Sequence, residues 1–218
     1  RVQKIAGTVE QLGCEVTIIG RQLGDCCEKD LVPFRTERFS MYFKRGFLFY
    51  KFYNIRLFFY LLFHNYDILV ANDLDTLPAN CLAAKLKRVP LVYDSHEYFT
   101  GVPELNNKPI RKWFWKRMEK MMIPHLKHTM TVSGSIAELY LKEYGIMPAV
   151  ISNCSPLSSD LIPYSRHELG INEDHLFLIL QGGGINIDKG GEELIDAIEK
   201  TENVSLLVAG SGDVLPLL

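Results

Sequence analysis

The sequence predicts an α/β protein with parallel sheets, because short apolar segments of strand length alternate with longer amphipathic segments of helix length. This alternation occurs twice, before and after a polar stretch at 154–174 that contains two prolines. Most of the apolar segments end in glycine or in polar side chains, and ligands of open α/β sheets bind beyond the carboxyl ends of the strands. The fold class therefore also predicts where a functional site lies.

The first run of alternation begins with a helix. Apolar residues at spacings of three and four predict a helix over 1–13 that stops at Gly13. Since a doubly wound domain usually begins with a strand, we expect a first strand to precede Arg1 and to be missing here; a natural helical start is the alternative. The remaining elements of this run are strands at 15–20, 66–72, 91–93, 128–133 and 149–153, a short strand near 31–34, and helices at 77–87, 109–122 and 136–144.

The segment 89–97 carries the most chemistry in this run. It begins as a buried apolar strand and ends in Asp94, His96 and Glu97. An imidazole titrates near neutral pH, so His96 is a candidate hydrogen-bonding or acid–base group, which Asp94 or Glu97 would orient. The alternative interpretation is a surface turn that is polar because it is in contact with water.

A second pair of carboxylates follows the preceding strand. Asp73 and Asp75 have a spacing that some enzymes use for a divalent cation, but the same spacing is common at helix starts, where carboxylates accept backbone N–H bonds. We therefore expect no metal site, and we expect Asp75 or Thr76 to cap the next helix. Because the two strands are consecutive, Asp73 and His96 are expected to lie close together at one crevice.

The segment 42–63 is rich in aromatic residues and raises the question of membrane contact. Charged and polar residues leave 57–63 as its uninterrupted apolar run, far short of the roughly 20 residues needed to span a bilayer. We expect a helix that is basic and aromatic in its first half and buried in its second. One interpretation is that the first half contacts a membrane surface. The other, which we favour for the whole segment, is that the helix packs on the sheet and its basic side chains reach water.

Composition and charge narrow the classes of function. The net charge of −2 gives no indication of nucleic-acid binding. The five cysteines lack zinc-ligand spacing, and their odd number argues against a disulfide framework. A reducing, cytoplasmic location is therefore expected.

The second run of alternation has the order of an anion-binding unit. An apolar strand at 176–180 leads into a glycine-rich loop, a helix at 192–200 and a strand at 204–209. Glycines let a phosphate approach the backbone, and a helix start supplies N–H groups and partial positive charge; a tight turn is the alternative. The candidate residues are Gly182, Gly183, Gly184, Lys189, Gly190, Gly210 and Gly212.

Together the two runs resemble an enzyme family. Four segments are similar to the acceptor-side domain of group-1 (family 4) glycosyltransferases: 1–6 (RVQKIA), 92–96 (VYDSH), 131–133 (TVS) and 150–153 (VISN). The loop at 182–191 and the segment 207–212 (LVAGSG) are similar to the start of the donor-side domain. The resemblance implies the GT-B fold of two facing Rossmann-like domains, a nucleotide-sugar donor, retention of anomeric configuration, and no obligatory metal or other cofactor.

The resemblance also implies roles for individual residues. His96 corresponds to the family's histidine near the transferred sugar and the acceptor, and Lys189 to the lysine that contacts the donor diphosphate. Two departures stand out: Gly184 replaces a frequent arginine, and the family's paired glutamates would lie beyond Leu218, so we expect an inactive fragment. The further substrate-binding candidates are Asp73, Asp75, Asp94 and Glu97.

The expected organisation is an acceptor-side domain at 1–156, a linker at 157–174 and the truncated beginning of a donor domain at 175–218. The expected function is transfer of a sugar from a nucleotide sugar to a glycan or lipid-linked acceptor in polysaccharide biosynthesis, in the cytoplasm or peripherally at the inner face of the membrane. Because a fold does not fix function, a nucleotide-sugar epimerase or hydrolase remains an alternative. A non-catalytic sugar-nucleotide or membrane-docking module is the other.

Overall fold

A computed structural model describes residues 1–22, 34–102, 105, 108–155, 157, 162–187 and 190–217 of the chain. Every strand pair in these ranges is parallel, which confirms the predicted mixed α/β class with parallel sheets. The chain divides into two compact units, Arg1–Cys154 and Ser155–Leu218. The boundaries and roles that we expect for the two domains, and the strand expected before Arg1, stay predictions.

Helices and strands alternate along the first unit, as the sequence pattern predicts. Short 3-10 turns lie at Phe99–Gly101 and Ile123–His125. The helices and strands are α1 (Val2–Gln11), β1 (Thr17–Arg21), β2 (Arg35–Phe39), α2 (Gly46–Phe63), β3 (Leu69–Asn72), α3 (Leu77–Lys87), β4 (Leu91–Ser95), α4 (Pro109–Met122), β5 (His128–Thr131), α5 (Gly134–Tyr144) and β6 (Ala149–Val150).

Two parallel sheets, rather than the single sheet that we expected, are present in the described part of this unit. Strands β1 and β2 pair with each other, and β3, β4, β5 and β6 form a second sheet in that order. In the second sheet Asn72 is level with Asp94. The residues that follow β3 and β4 therefore emerge at the same edge, where ligands of α/β sheets bind.

The predicted ends of several elements differ from those observed. Strand β2 is found at Arg35–Phe39, directly after the segment 31–34 in which we expected a short strand; residues 31–33 of that segment lie outside the described ranges. Strand β6 is two residues long instead of five. Helix α5, which begins two residues before the predicted helix, has a cap at each end: Ser133 Oγ accepts a bond from the Ile136 N–H at 3.4 Å, and Gly145 takes the left-handed φ of 71° that favours glycine.

Two apolar clusters hold the first unit together. The first joins α2 to α3 and β3, and the small side chains of Ala79, Ala83 and Ala84 in α3 let the aromatic side chains of α2 approach closely. The second joins β3 and β4 to α4 and α5 and contains Tyr93 and Trp115. Because α2 and α3 pack against β3, and α4 and α5 pack against β3 and β4, the carboxyl ends of the two strands are held in place.

Helix α2 buries one face along its whole length, so burial is not confined to its second half as we expected, and the helix packs on α3 and β3 in line with the interpretation that we favoured. Its buried residues recur every four positions, as Phe49, Tyr53, Leu57 and Leu61. A second stripe of apolar side chains on the same helix is exposed: Leu48, Phe52, Ile55, Phe59 and Phe63. Within the described ranges, none of the helices combines the length and apolarity that a membrane span requires.

The second unit contains β7 (Leu176–Gly182), α6 (Gly191–Ile198) and β8 (Val204–Gly210). The two strands pair in parallel and end together, with Gly182 opposite Gly210. Because α6 connects two parallel strands, this is the strand–loop–helix order that the sequence predicts.

Candidate active site

His96 lies between two carboxylates at the carboxyl edge of the four-stranded sheet. Its Nδ1 is 3.2 Å from Asp73 Oδ2, and its Nε2 is 3.1 Å from Asp94 Oδ2. The backbone N–H of His96 also donates to Asp73 Oδ1 at 2.8 Å. The expected proximity of Asp73 and His96 is thus present in the structure, and both ring nitrogens are engaged.

Arg1 completes this group and was missed by the sequence analysis. Its Nη2 lies 2.7 Å from Asp94 Oδ1, its Nε lies 3.0 Å from Oδ2, and its Nη1 donates to the Ile151 carbonyl at 2.5 Å. A forked contact of this kind is the strong, directional form of an arginine–carboxylate pair. We call Arg1, Asp73, Asp94 and His96 the His96 cluster.

The electrostatics of the His96 cluster favour a charged imidazole. Hydrogen bonds from His96 to Asp73 and then to Asp94 raise its pKa to about 9, against the opposing effect of burial. Burial alone would raise the pKa of Asp94, but the bonds from His96 and Arg1 outweigh it and lower that pKa below its ordinary value. At neutral pH the cluster therefore holds two cations and two carboxylates.

Asp73 takes a backbone conformation that few residues other than glycine adopt. Its φ is 61°, and its N–H donates to the Asp94 carbonyl at 2.9 Å. Such left-handed positions cost about 1–3 kcal/mol and occur preferentially at functional sites. The turn aims the Asp73 carboxylate at His96; their side chains are 26% and 25% exposed, whereas Asp94 is fully buried.

The other substrate-binding candidates lie near the His96 cluster without joining it. Burial, followed by the charge of Asp73, raises the pKa of Asp75 to about 6. Thr76 occupies the N-cap position of α3, but its hydroxyl donates to the Asn72 carbonyl at 2.8 Å, so the expectation that this hydroxyl caps the helix is wrong. The Glu97 side chain is exposed, and its carbonyl accepts a bond from Ser95 Oγ at 2.8 Å.

The side chains of the His96 cluster pair with one another and are not arranged as metal ligands. Across the described ranges, His, Cys, Asp and Glu side chains form no group of three or more that could hold a metal ion. Asp73 Oδ2 and Asp94 Oδ2 both face the imidazole ring of His96. Both carboxylates are therefore paired with the His96 side chain.

Close backbone contacts explain two of the candidate glycines of the second unit, Gly210 and Gly212. A Cβ on Gly210 would lie 1.9 Å from the Gly182 carbonyl oxygen, and one on Gly212 would lie 1.9 Å from that of Ile185. These two glycines are therefore needed where the turns after β7 and β8 meet. Gly183 and Gly184 have no such close contact, and Lys189 lies outside the described residues.

The start of α6 carries features for and against anion binding. Gly190 precedes the helix with a φ of 91°, a left-handed conformation suited to glycine. Glu192 and Glu193 stand in the first turn, where their negative charge is favourable to the helix and unfavourable to a second anion. Asp213 Oδ1 accepts the Ile187 N–H at 3.0 Å.

A unit in which helices alternate with parallel strands belongs to the Rossmann-like class, whose members bind ligands at the carboxyl edge of the sheet. Comparison with known families identifies it further, because the profile of Glycosyltransferase Family 4 matches residues 1–158. The chain therefore belongs to Glycosyltransferase Family 4, and its scaffold is that of a GT-B-type glycosyltransferase. No curated protein matches the chain.

Proposed function

We propose that the protein transfers a sugar from a nucleotide-sugar donor to a glycan or lipid-linked acceptor, with retention of configuration. The observation that carries this proposal is the His96 cluster, which lies at the ligand-binding edge of a sheet inside the region matched by the family. A scaffold alone would not specify an activity. The partly exposed charged pair gives this scaffold groups suited to sugar hydroxyls.

His96 acts in this proposal as a cation and hydrogen-bond donor. With a pKa of about 9 its imidazole is already protonated at neutral pH, so it is unsuited to accept the acceptor's proton. The partly exposed Asp73 carboxylate accepts bonds from sugar hydroxyls, while the imidazolium, whose two N–H groups face Asp73 and Asp94, supplies positive charge. Asp94 and Arg1 position His96 from the buried side.

The donor subsite of this proposal is the loop between β7 and α6. Transfer places negative charge on the leaving diphosphate, which positively charged and N–H groups stabilise. We assign this role to Lys189 and to the amides of Gly182, Gly183 and Gly184, because the loop ends at the carboxyl edge of the second sheet. Since Glu192 and Glu193 oppose an anion there, Lys189 would supply most of the attraction.

Calorimetry with nucleoside diphosphates tests the donor assignment. We expect binding by the wild-type protein and a loss of about tenfold or more for Lys189→Ala, the scale for removing one partner of a charged pair. Lys200→Ala, at an exposed position after α6, is the matched control and should bind as the wild type does. Equal affinity of wild type and Lys189→Ala would place the diphosphate elsewhere.

Peripheral membrane contact is the second part of the proposal and would bring the enzyme to a lipid-linked acceptor. The exposed stripe on α2 (Leu48, Phe52, Ile55, Phe59 and Phe63) supports it, together with the exposed cations Lys44, Arg45 and Lys51. We expect co-sedimentation with anionic vesicles at low salt, weakened by salt. A Phe52→Ser, Phe59→Ser variant should bind less; absence of wild-type binding would leave a soluble glycan as the acceptor.

A further inference from the structure

A small cavity beside the His96 cluster has the features of a sugar subsite. It has a volume of about 210 Å³ and is lined by Arg21, Phe49, Tyr50, Tyr53, Asp75 and Thr76. Arg21 ends β1, Asp75 and Thr76 follow β3, and three aromatic side chains come from α2. The cavity therefore lies at the carboxyl ends of two parallel strands, where α/β proteins bind ligands.

The polar groups of the cavity stand apart from one another. Arg21 Cζ lies 5.1 Å from the centre of the Phe49 ring, and Asp75 is half-buried on the same cavity. In the described part of the chain, no ion pair joins Arg21 to Asp75; the charge of Arg21 acts through space to lower the pKa of Asp75, against the larger effect of burial, which raises it. The Arg21 guanidinium, whose Nη1 donates to the Lys44 carbonyl at 3.5 Å, and the Asp75 carboxylate therefore line the same cavity without pairing with each other.

The cavity walls are held together by Asn54 of α2. Its Nδ2 donates to the Asp75 carbonyl at 2.7 Å, and its Oδ1 accepts the Ala79 N–H at 3.1 Å. These two bonds fix the turn that carries Asp75 against the helix that carries the aromatic wall. A preformed space of this kind binds without a large ordering cost.

We propose that this cavity binds the terminal neutral sugar of the acceptor, with its hydroxyls bonded to Asp75 and Arg21 and its ring against Tyr50 and Tyr53. The ligand class rests on the proposed glycosyl transfer. Pockets for drug-sized ligands are roughly 300–1,000 Å³, so a smaller cavity suits one ring. Three aromatic side chains beside three polar ones match the apolar faces and hydroxyl rim of a pyranose.

The charges select against an acidic sugar. Arg21 and Asp75 offset one another, and repulsion from the Asp73 carboxylate, two residues away, adds to burial in raising the pKa of Asp75. An added carboxylate or phosphate would meet the same repulsion. Because Asp73 also contacts His96, the bound ring would lie next to the group to which we assign contact with the transferred sugar.

Saturation-transfer NMR on the 218-residue chain tests the subsite directly, with no donor present. The probes are the methyl glycosides of glucose, galactose, mannose and N-acetylglucosamine, and methyl glucuronide as the acidic comparison. We expect at least one neutral glycoside to bind the wild-type chain. The same glycoside should bind Asp75→Asn about tenfold or more weakly, because the variant lacks the charged carboxylate that accepts the hydroxyl's hydrogen bond. Asp67→Asn, the same change at an exposed position, should bind as the wild type does.

A second variant covers the case in which Asp75→Asn does not fold. Arg21→Gln alters the other polar wall at an exposed position and should weaken the same glycoside. The subsite is refuted if no neutral glycoside binds, if both variants bind as tightly as wild type, or if the glucuronide binds best. Donor binding is measured separately with nucleoside diphosphates, so its failure and the failure of this subsite give different results.

Discussion

The His96 cluster and a second group around Glu119 both place a buried carboxylate beside the chain that leaves β4. We call Thr100, Lys116, Glu119 and Tyr144 the Glu119 cluster. Glu119 Oε2 accepts bonds from Thr100 at 2.8 Å and from Tyr144 at 2.5 Å, and Lys116 Nζ stands 3.7 Å away. Its Oε1 atom has no hydrogen-bond partner among the described residues.

The two clusters balance charge in opposite ways. Asp94 has two close cationic partners, which lower its pKa despite burial. Burial raises the pKa of Glu119, and the bonds from Tyr144 and Thr100 only partly offset that rise. The first arrangement keeps charged groups ionised at a partly exposed site that can meet a ligand, whereas the second anchors Thr100 in the interior. We therefore assign the first cluster to function and the second to holding the loop after His96.

Loss of the Asp94 charge is expected to have the largest effect on stability. Asp94→Asn leaves the guanidinium of Arg1, which is 6% exposed, without its carboxylate. Breaking a buried pair from one side typically costs about 3–5 kcal/mol in the free energy of unfolding. Urea unfolding measures this, with the exposed Asp67→Asn expected within about 0.5 kcal/mol of wild type. A cost for Asp94→Asn as small as for the control would contradict the assignment of charge.

The pH dependence of stability should reveal His96 next. Its folded pKa of about 9 exceeds the ordinary 6.5, so its stabilisation is complete below pH 6.5 and is lost as pH rises through 9. The shift corresponds to about 3 kcal/mol. The difference in free energy of unfolding between wild type and His96→Gln should therefore shrink by about 3 kcal/mol as the pH rises from 6.5 to beyond 9. A difference that stays constant with pH would show that His96 does not gain its proton from folding.

The smallest effect is expected at Glu119. Because its folded pKa is raised from 4.5, its contribution to stability is greatest below that pH and falls as the pH rises. Glu119→Gln removes the charge and puts an NH2 group in place of the unpartnered Oε1, while the remaining oxygen can still accept the bonds from Thr100 and Tyr144. Its free energy of unfolding at neutral pH should lie within about 1 kcal/mol of wild type or above it. Glu138→Gln on the exposed face of α5 is the control; a loss as large as that of Asp94→Asn would erase the contrast.

The sequence predicts the frame of the functional edge because strand ends are local features. The apolar run before Asp94 and the consecutive order of β3 and β4 place Asp73 next to His96. Arg1 could not be predicted as a partner of Asp94, since the two are separated by 93 positions and no local pattern connects them. The left-handed turn at Asp73, which aims its carboxylate at His96, likewise has no glycine to signal it.

Helix α2 shows a different limit. Apolar side chains occur on nearly all of its faces, so periodicity does not identify the buried one. The small residues of α3 determine which side packs, and they are distant in sequence. The separation of β1 and β2 from the main sheet depends in the same way on strand pairing across the chain.

The ionisation of His96 is the most direct test of the account, because a cation held between Asp73 and Asp94 underlies its proposed role. Its ring protons can be followed by NMR as a function of pH and assigned by their loss in His96→Gln. We expect a midpoint near pH 9 in the wild type, moving down toward 6.5 in Asp73→Asn. A wild-type midpoint near 6.5 would mean that the two carboxylates do not hold the proton, and the proposed role of His96 as a cation would be wrong.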